Sequence, residues 1–199
     1  LTPLRHKSAA VRQIALQRLP RIDDFTQSAV ALRLLKENES DPAVLVSLWL
    51  AGSEFKLPEK TGLFGGARAA LLIDMETNDP NLRDAMLISA SNDPSRLLEG
   101  IVDIPEPTPL GLAAVERVAR HYALGGGDAR IDDLLKSLNS PKANREITSA
   151  IITGLASGWP AKKDPELTLQ TQKAVRELIG KLPIAPRSKL IKLDSTWGV

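Results

Sequence analysis

SAAVRQIALQRL (residues 8–19), DPAVLVSLWLAG (41–52) and DPNLRDAMLISA (79–90) align without a gap, and their shared pattern decides the fold. Each opens on a short polar residue whose oxygen can accept the free N–H groups of a first helical turn. In two of them proline follows, where its fixed φ suits a helix and its missing N–H costs nothing. Asp41 with Pro42, and Asp79 with Pro80, therefore read as helix caps rather than catalytic acids. Apolar residues then recur at helical spacing, as Val11, Ile14, Ala15 and Leu19, as Val44, Leu48 and Ala51, and as Leu82, Ala85, Met86 and Ala90.

Two later segments fit the frame more loosely. AVERVARHYA supplies Val115, Val118, Ala119 and Ala123, and EITSAIITGLASG supplies Ile147, Ala150, Ile151 and Leu155. With Val11, Val44, Leu82, Val115 and Ile147 taken as equivalent, the intervals are 33, 38, 33 and 32 residues. Such an interval holds two helices and two short turns. One pair alone leaves an apolar face exposed, and stacking on its neighbours buries it. The expectation is an all-α, HEAT-like α-solenoid of about five stacked antiparallel helix pairs, with an irregular bundle of similar spacing as the alternative. Val11, Ala15, Val44, Leu48, Leu82, Met86, Val118 and Ile151 are its expected core columns. Companion helices are expected near 26–36, 63–77, 94–102, 128–138 and 165–179. The prolines of residues 103–108 break the helical pattern there. The chain reads as one domain over 1–199, with 181–199 a tail holding at most one short helix near 187–193.

Composition agrees. The 199 residues are 43% hydrophobic but only 4% aromatic, which suits close-packed helices better than a β-sandwich. Twenty-six basic residues against 24 acidic give a formal charge of +2, far from the field of a dedicated nucleic-acid binder. With no cysteine, disulfides and thiolate ligands are excluded. No stretch reaches the roughly 18 apolar residues of a membrane span. The chain starts at Leu1 without a charged leader, which reads as a mature product or a piece of a longer protein.

The opening Asp-Pro-x-Val/Leu-Arg pattern resembles HEAT repeats. More closely, NDPNLRDAMLISASNDPSRLLEGIV, through Asp79, Pro80, Arg83, Ala85, Leu87, Ser89, Leu97 and Leu98, resembles the helical region of large planctomycete and verrucomicrobial proteins. Those proteins combine a dehydrogenase-like β-propeller, HEAT repeats and a C-terminal cytochrome c domain. GLAAVERVARHYALGGGDARIDDLLKSL and ITSAIITGLASG are similar to that region too, and the resemblance covers about residues 1–180. It implies a helical spacer beside catalytic or electron-transfer modules, and a periplasmic or exported location. The chain holds no Cys-x-x-Cys-His, so covalent haem attachment does not carry over.

Candidate sites are few. Arg12 and Arg83 occupy equivalent positions, where a HEAT-like arginine pairs with an acid of a neighbouring unit. His6 and His121, the two histidines, lack metal-ligand spacing. Asp132 and Asp133 read as a solvated face at a helix start. GLFGG (62–66) and the glycines at 125–127 read as turns, not phosphate cradles. Trp49 is expected between units, and Trp197 docked within the chain. These residues indicate a non-catalytic scaffold with no cofactor, whose partners are proteins or flanking domains. The alternatives are a nucleic-acid surface using Arg68, Arg83, Arg117, Arg120, Arg130 and Lys136, and an enzyme resembling the HEAT-like chromophore lyases.

Overall fold

A computed structural model describes residues 2–18, 39–54, 79–125, 127, 130–160 and 165–198. Every regular element among them is helical: a 3-10 turn at Thr2–Arg5, then α1 (Ala9–Arg18), α2 (Pro42–Glu54), α3 (Pro80–Ala90), α4 (Pro94–Ile101), α5 (Pro109–Leu124), α6 (Ile131–Leu138), α7 (Arg145–Gly158), α8 (Leu169–Lys181) and α9 (Ile184–Thr196). The fold is all-α among the described residues. The expected companion helices at 26–36 and 63–77 and the turn at 62–66 lie outside them.

Capping sets the boundaries. Asp41 Oδ1 accepts the N–H groups of Ala43 (3.0 Å) and Val44 (3.2 Å), and Asp79 Oδ1 those of Asn81 (2.8 Å) and Leu82 (3.3 Å). Asp93, Thr108, Asn144 and Thr168 do the same for α4, α5, α7 and α8. Pro80, Pro94 and Pro109 occupy first helical positions.

The described helices fall into two compact units, α1–α3 with residues up to 92, and α4–α9. In the first, Leu4, Leu16, Val44, Leu48 and Ala51 form a core against which Ala9, Ala15 and Leu45 pack. α2 packs on both α1 and α3. The Asn92 side-chain amide donates to the Ser53 carbonyl, so the C-terminal ends of α2 and α3 coincide and the two run parallel.

In the second unit, α4 packs on α5 and α6, α6 on α8, α5 on α7, α7 on α9, and α8 on α9. The most extensive of these contacts joins α5 to α7, because two glycines remove the side chains between them. A Cβ at Gly154 would strike the Glu116 carbonyl and lie 2.7 Å from the Ala119 Cβ. One at Gly158 would strike the Arg120 carbonyl and lie 3.1 Å from the Ala123 Cβ. Position 154 meets 116–120 and 158 meets 120–123, so these helices also run parallel.

Of the expected core columns, Val44, Leu48, Met86, Val118 and Ile151 are buried. Val11, Ala15 and Leu82 are only half-buried, and Ile14 is 59% exposed. The buried face of α1 centres on Leu16, about 100° around the helix from Ala15. Leu82 sits in the first turn of α3, while Ala85, Met86, Ser89 and Ala90 fill the interior further along. The segment read as a tail instead carries the 13-residue helix α9, with Pro186, Leu190 and Leu193 buried. Its Pro186 lies in the first turn, where no intrahelical N–H bond is lost.

Gly154→Ala should lower stability by about 1–3 kcal/mol in urea unfolding, because overpacking against fixed backbone outweighs the gain in helix propensity. Gly180→Ala on α8, where an added Cβ meets nothing within 4 Å, should instead stabilise by up to about 1 kcal/mol. Equal effects of the two substitutions would contradict the close approach of α5 and α7.

Candidate functional site

Three polar and aromatic constellations stand out, and each joins residues distant in sequence. Arg12 of α1 clamps Glu39 just before α2, through Nε to Oε2 at 2.7 Å and Nη2 to Oε1 at 3.0 Å. Its remaining N–H groups donate to the carbonyls of His6 and Lys7. Glu39 also accepts the Asp41 N–H at 3.0 Å. Burial opposes the Glu39 charge, yet these donors hold its carboxyl below the usual range. The pair therefore fixes where α2 begins. Arg83, at the equivalent position on α3, is half-buried and makes no ion pair with a described residue.

Asp132 is the second constellation, and it is not the solvated residue the sequence suggests. Its side chain is 15% exposed. Oδ1 accepts the Thr168 N–H (3.1 Å), Oδ2 accepts the Thr168 hydroxyl (2.8 Å), and Lys136 Nζ lies 2.9 Å away. Burial works against the charge, but hydrogen bonds from Thr171, Lys136 and Thr168 hold the carboxyl well below the ordinary carboxylate range. Thr168 is itself the cap of α8, so the carboxylate links the N-terminal ends of α6 and α8. Asp133 is exposed, with Lys136 Nζ 3.6 Å away.

The third is aromatic. Trp159 and Trp197 meet edge to face with centroids 5.0 Å apart and planes at 72°. Gly127, at φ +66°, donates its N–H to the Tyr122 carbonyl and leaves room for the Trp159 ring, which a Cβ would approach to 2.9 Å. The tryptophan at residue 197 thus docks within the chain. Its indole Nε1 is enclosed without a hydrogen-bond partner, as is Asp194 Oδ1, and burial pushes the Asp194 carboxyl up. Trp49 is also buried, on α2.

The other candidates remain dispersed. His6 Nδ1 accepts the Ser8 N–H at 3.1 Å, while His121 is exposed on the last turn of α5. Among the described residues, no three His, Asp or Glu side chains are placed to hold a metal ion. Of the six candidate nucleic-acid cations, Arg68 lies outside the described residues. Arg130 sits 3.8 Å from Asp93 and Lys136 is shared by Asp132 and Asp133, while Arg117 and Arg120 are exposed on α5. No helix among the described residues is long and apolar enough to cross a membrane. Neither a family model, nor a curated protein, nor a solved structure matches the chain.

Asp132→Asn should cost about 1–3 kcal/mol at neutral pH, the range for hydrogen bonds to a charged group. Because the folded-state pKa is depressed, the contribution is complete above the unfolded value, about 4, and is lost as pH falls towards the folded one. The stability gap between wild type and variant should stay constant from about pH 8 to 5 and close under stronger acid. A gap that shrinks between pH 8 and 6 would assign the effect to another group.

Proposed function

We propose that this chain is a non-catalytic helical scaffold, built as a HEAT-like α-solenoid of about five stacked antiparallel helix pairs. Its surfaces engage other proteins or flanking domains of the same polypeptide. The observation that carries this reading is the direction of alternate helices. α5 and α7 run parallel and in contact. The N-terminal ends of α6 and α8 meet at Asp132 and Thr168, and their C-terminal parts meet where Asn139 engages Glu177 and Lys181, so these helices are parallel too. Parallel neighbours separated by one returning helix are what stacked hairpins produce, with alternate helices forming two layers. In unit one, α2 and α3 are likewise parallel neighbours, across the 38-residue interval.

The polar constellations support the same reading, since each ends in a helix cap rather than converging on an open cleft. Pairing of Arg130 and Lys136 with acids favours a protein-facing mosaic over a nucleic-acid stripe. The resemblance to propeller–HEAT–cytochrome proteins gives the scaffold a specific place, as a spacer beside a haem-bearing domain whose redox chemistry lies outside these residues.

Crosslinking mass spectrometry on the native polypeptide should join lysines of this chain to other domains or other proteins. Crosslinks confined to the chain itself would overturn the scaffold assignment. Haemin added to the isolated chain should leave its Soret band unchanged. A saturable low-micromolar shift abolished by His121→Ala would make the chain a haem protein through an axial imidazole instead.

A further inference from the structure

α9 carries an apolar row that no described residue of its unit covers. Ile184, Ser188, Ile191 and Ser195 follow one another at i, i+4, i+7 and i+11, all exposed, opposite the buried Pro186, Leu190 and Leu193. Ile184 is 81% and Ile191 46% exposed. The two serines add little polarity to this row. Ser188 Oγ donates to the Ile184 carbonyl and Ser195 Oγ to the Ile191 carbonyl, both at 3.0 Å, so each hydroxyl proton is spent within the helix.

The flanks differ in charge. On one side Ala185, Lys189 and Lys192 form a parallel row, exposed, and neither lysine pairs with a described acid. On the other, Arg187 is spent on the Leu182 carbonyl at 2.8 Å, and Asp194 is half-buried. Over residues 169–196 the sequence has six basic and two acidic side chains, an excess of four, whereas the whole chain carries only +2. The positive charge is therefore concentrated at this helix pair.

We infer that this face of α9 docks an acidic amphipathic helix, whose apolar residues cover Ile184 and Ile191 and whose carboxylates lie along Lys189 and Lys192. Helix-on-helix recognition reads anchors at i, i+4 and i+7, the spacing present here. A second copy of the chain would bring lysines against lysines. A nucleic acid would leave the isoleucines without a role, and the tryptophans that could stack on bases are buried against each other. Two isoleucines on a packed helix give a lipid surface little to hold. The inference rests on the scaffold reading and names one of its partner classes.

The test uses the full chain and a fluorescein-labelled helical peptide with leucines at i, i+4, i+7 and i+11 and glutamates along one flank. Anisotropy should show saturable binding, weakened at least tenfold by Ile184→Ser with Ile191→Ser, and likewise by Lys189→Glu with Lys192→Glu. The charge-reversed chain should prefer the same peptide carrying lysines in place of glutamates. Circular dichroism identical to wild type shows that each variant is folded. No saturable binding, equal binding of a scrambled peptide, or tighter binding of a DNA duplex or of phosphatidylserine vesicles would each overturn the inference. Crosslinks from the chain's other faces in the native polypeptide would then leave the scaffold reading standing without it.

Discussion

The close approach of α5 and α7 governs the larger unit. A glycine inside a helix costs about 1 kcal/mol relative to alanine, so its presence at 154 requires a compensating contact, which Gly158 at the last position of α7 extends. The contact is backbone-to-backbone packing against the Ala119–Ala123 side of α5, one helical turn matched to one helical turn. Because the pairing is parallel, the chain must travel back along the length of α5, about 24 Å, before α7 can begin. The 8-residue α6 and its flanking turns make that return, which places α6 outside the α5–α7 contact. Its neighbours are then α4 and α8, and α9 is left to α7 and α8. Which helices of the unit touch follows from where two Cβ atoms are missing.

Polar groups then fix the ends of the helices that packing has brought together. Arg130 approaches Asp93, the cap of α4, from the start of α6, and Asp132 in the first turn of α6 holds Thr168, the cap of α8. The N-terminal ends of α4, α6 and α8 are thus tied in a row. Asp132 is favoured there twice, by the N–H groups of its own helix start and by the donors of the next. At the opposite end Asn139 donates to Glu177 and accepts from Lys181. Linking both ends of α6 to α8 suppresses sliding along the helix axis, which apolar contacts alone resist weakly. The Arg12–Glu39 clamp plays the same part in the smaller unit.

Much of the fold was legible because it is written locally. The caps at Asp41 and Asp79 act within three residues, and proline after a cap is a statement about the next turn. Periodicity likewise located α5 and α7 and their cores at Val118 and Ile151. What escaped the sequence depends on distant partners. Asp132 sits one residue from the buried Ile131 and faces outward by periodicity, and only Thr168, 36 positions on, makes it an internal anchor. Nothing local to Gly154 and Gly158 announces the Glu116 and Arg120 carbonyls above them. α9 extends beyond its expected bounds because an internal proline and only three buried residues weaken its pattern, while its stability comes from α7, α8 and the Trp159 ring.

The exposed face of α9 follows from the same economy of small residues. Inside the unit, a helix accepts a close neighbour by presenting glycine or alanine along one row, as α7 does to α5. α9 presents serines whose hydroxyls are turned inward to carbonyls, alternating with isoleucine, so the row is neither polar enough to be a solvated surface nor crowded enough to exclude a helix. Lys189 and Lys192 border it on one flank alone. That asymmetry separates a surface that continues the chain's own stacking from one that selects an occupant. The apolar row supplies contact area to any amphipathic helix, and the two lysines, paired with no described acid, distinguish among them by sign and by orientation.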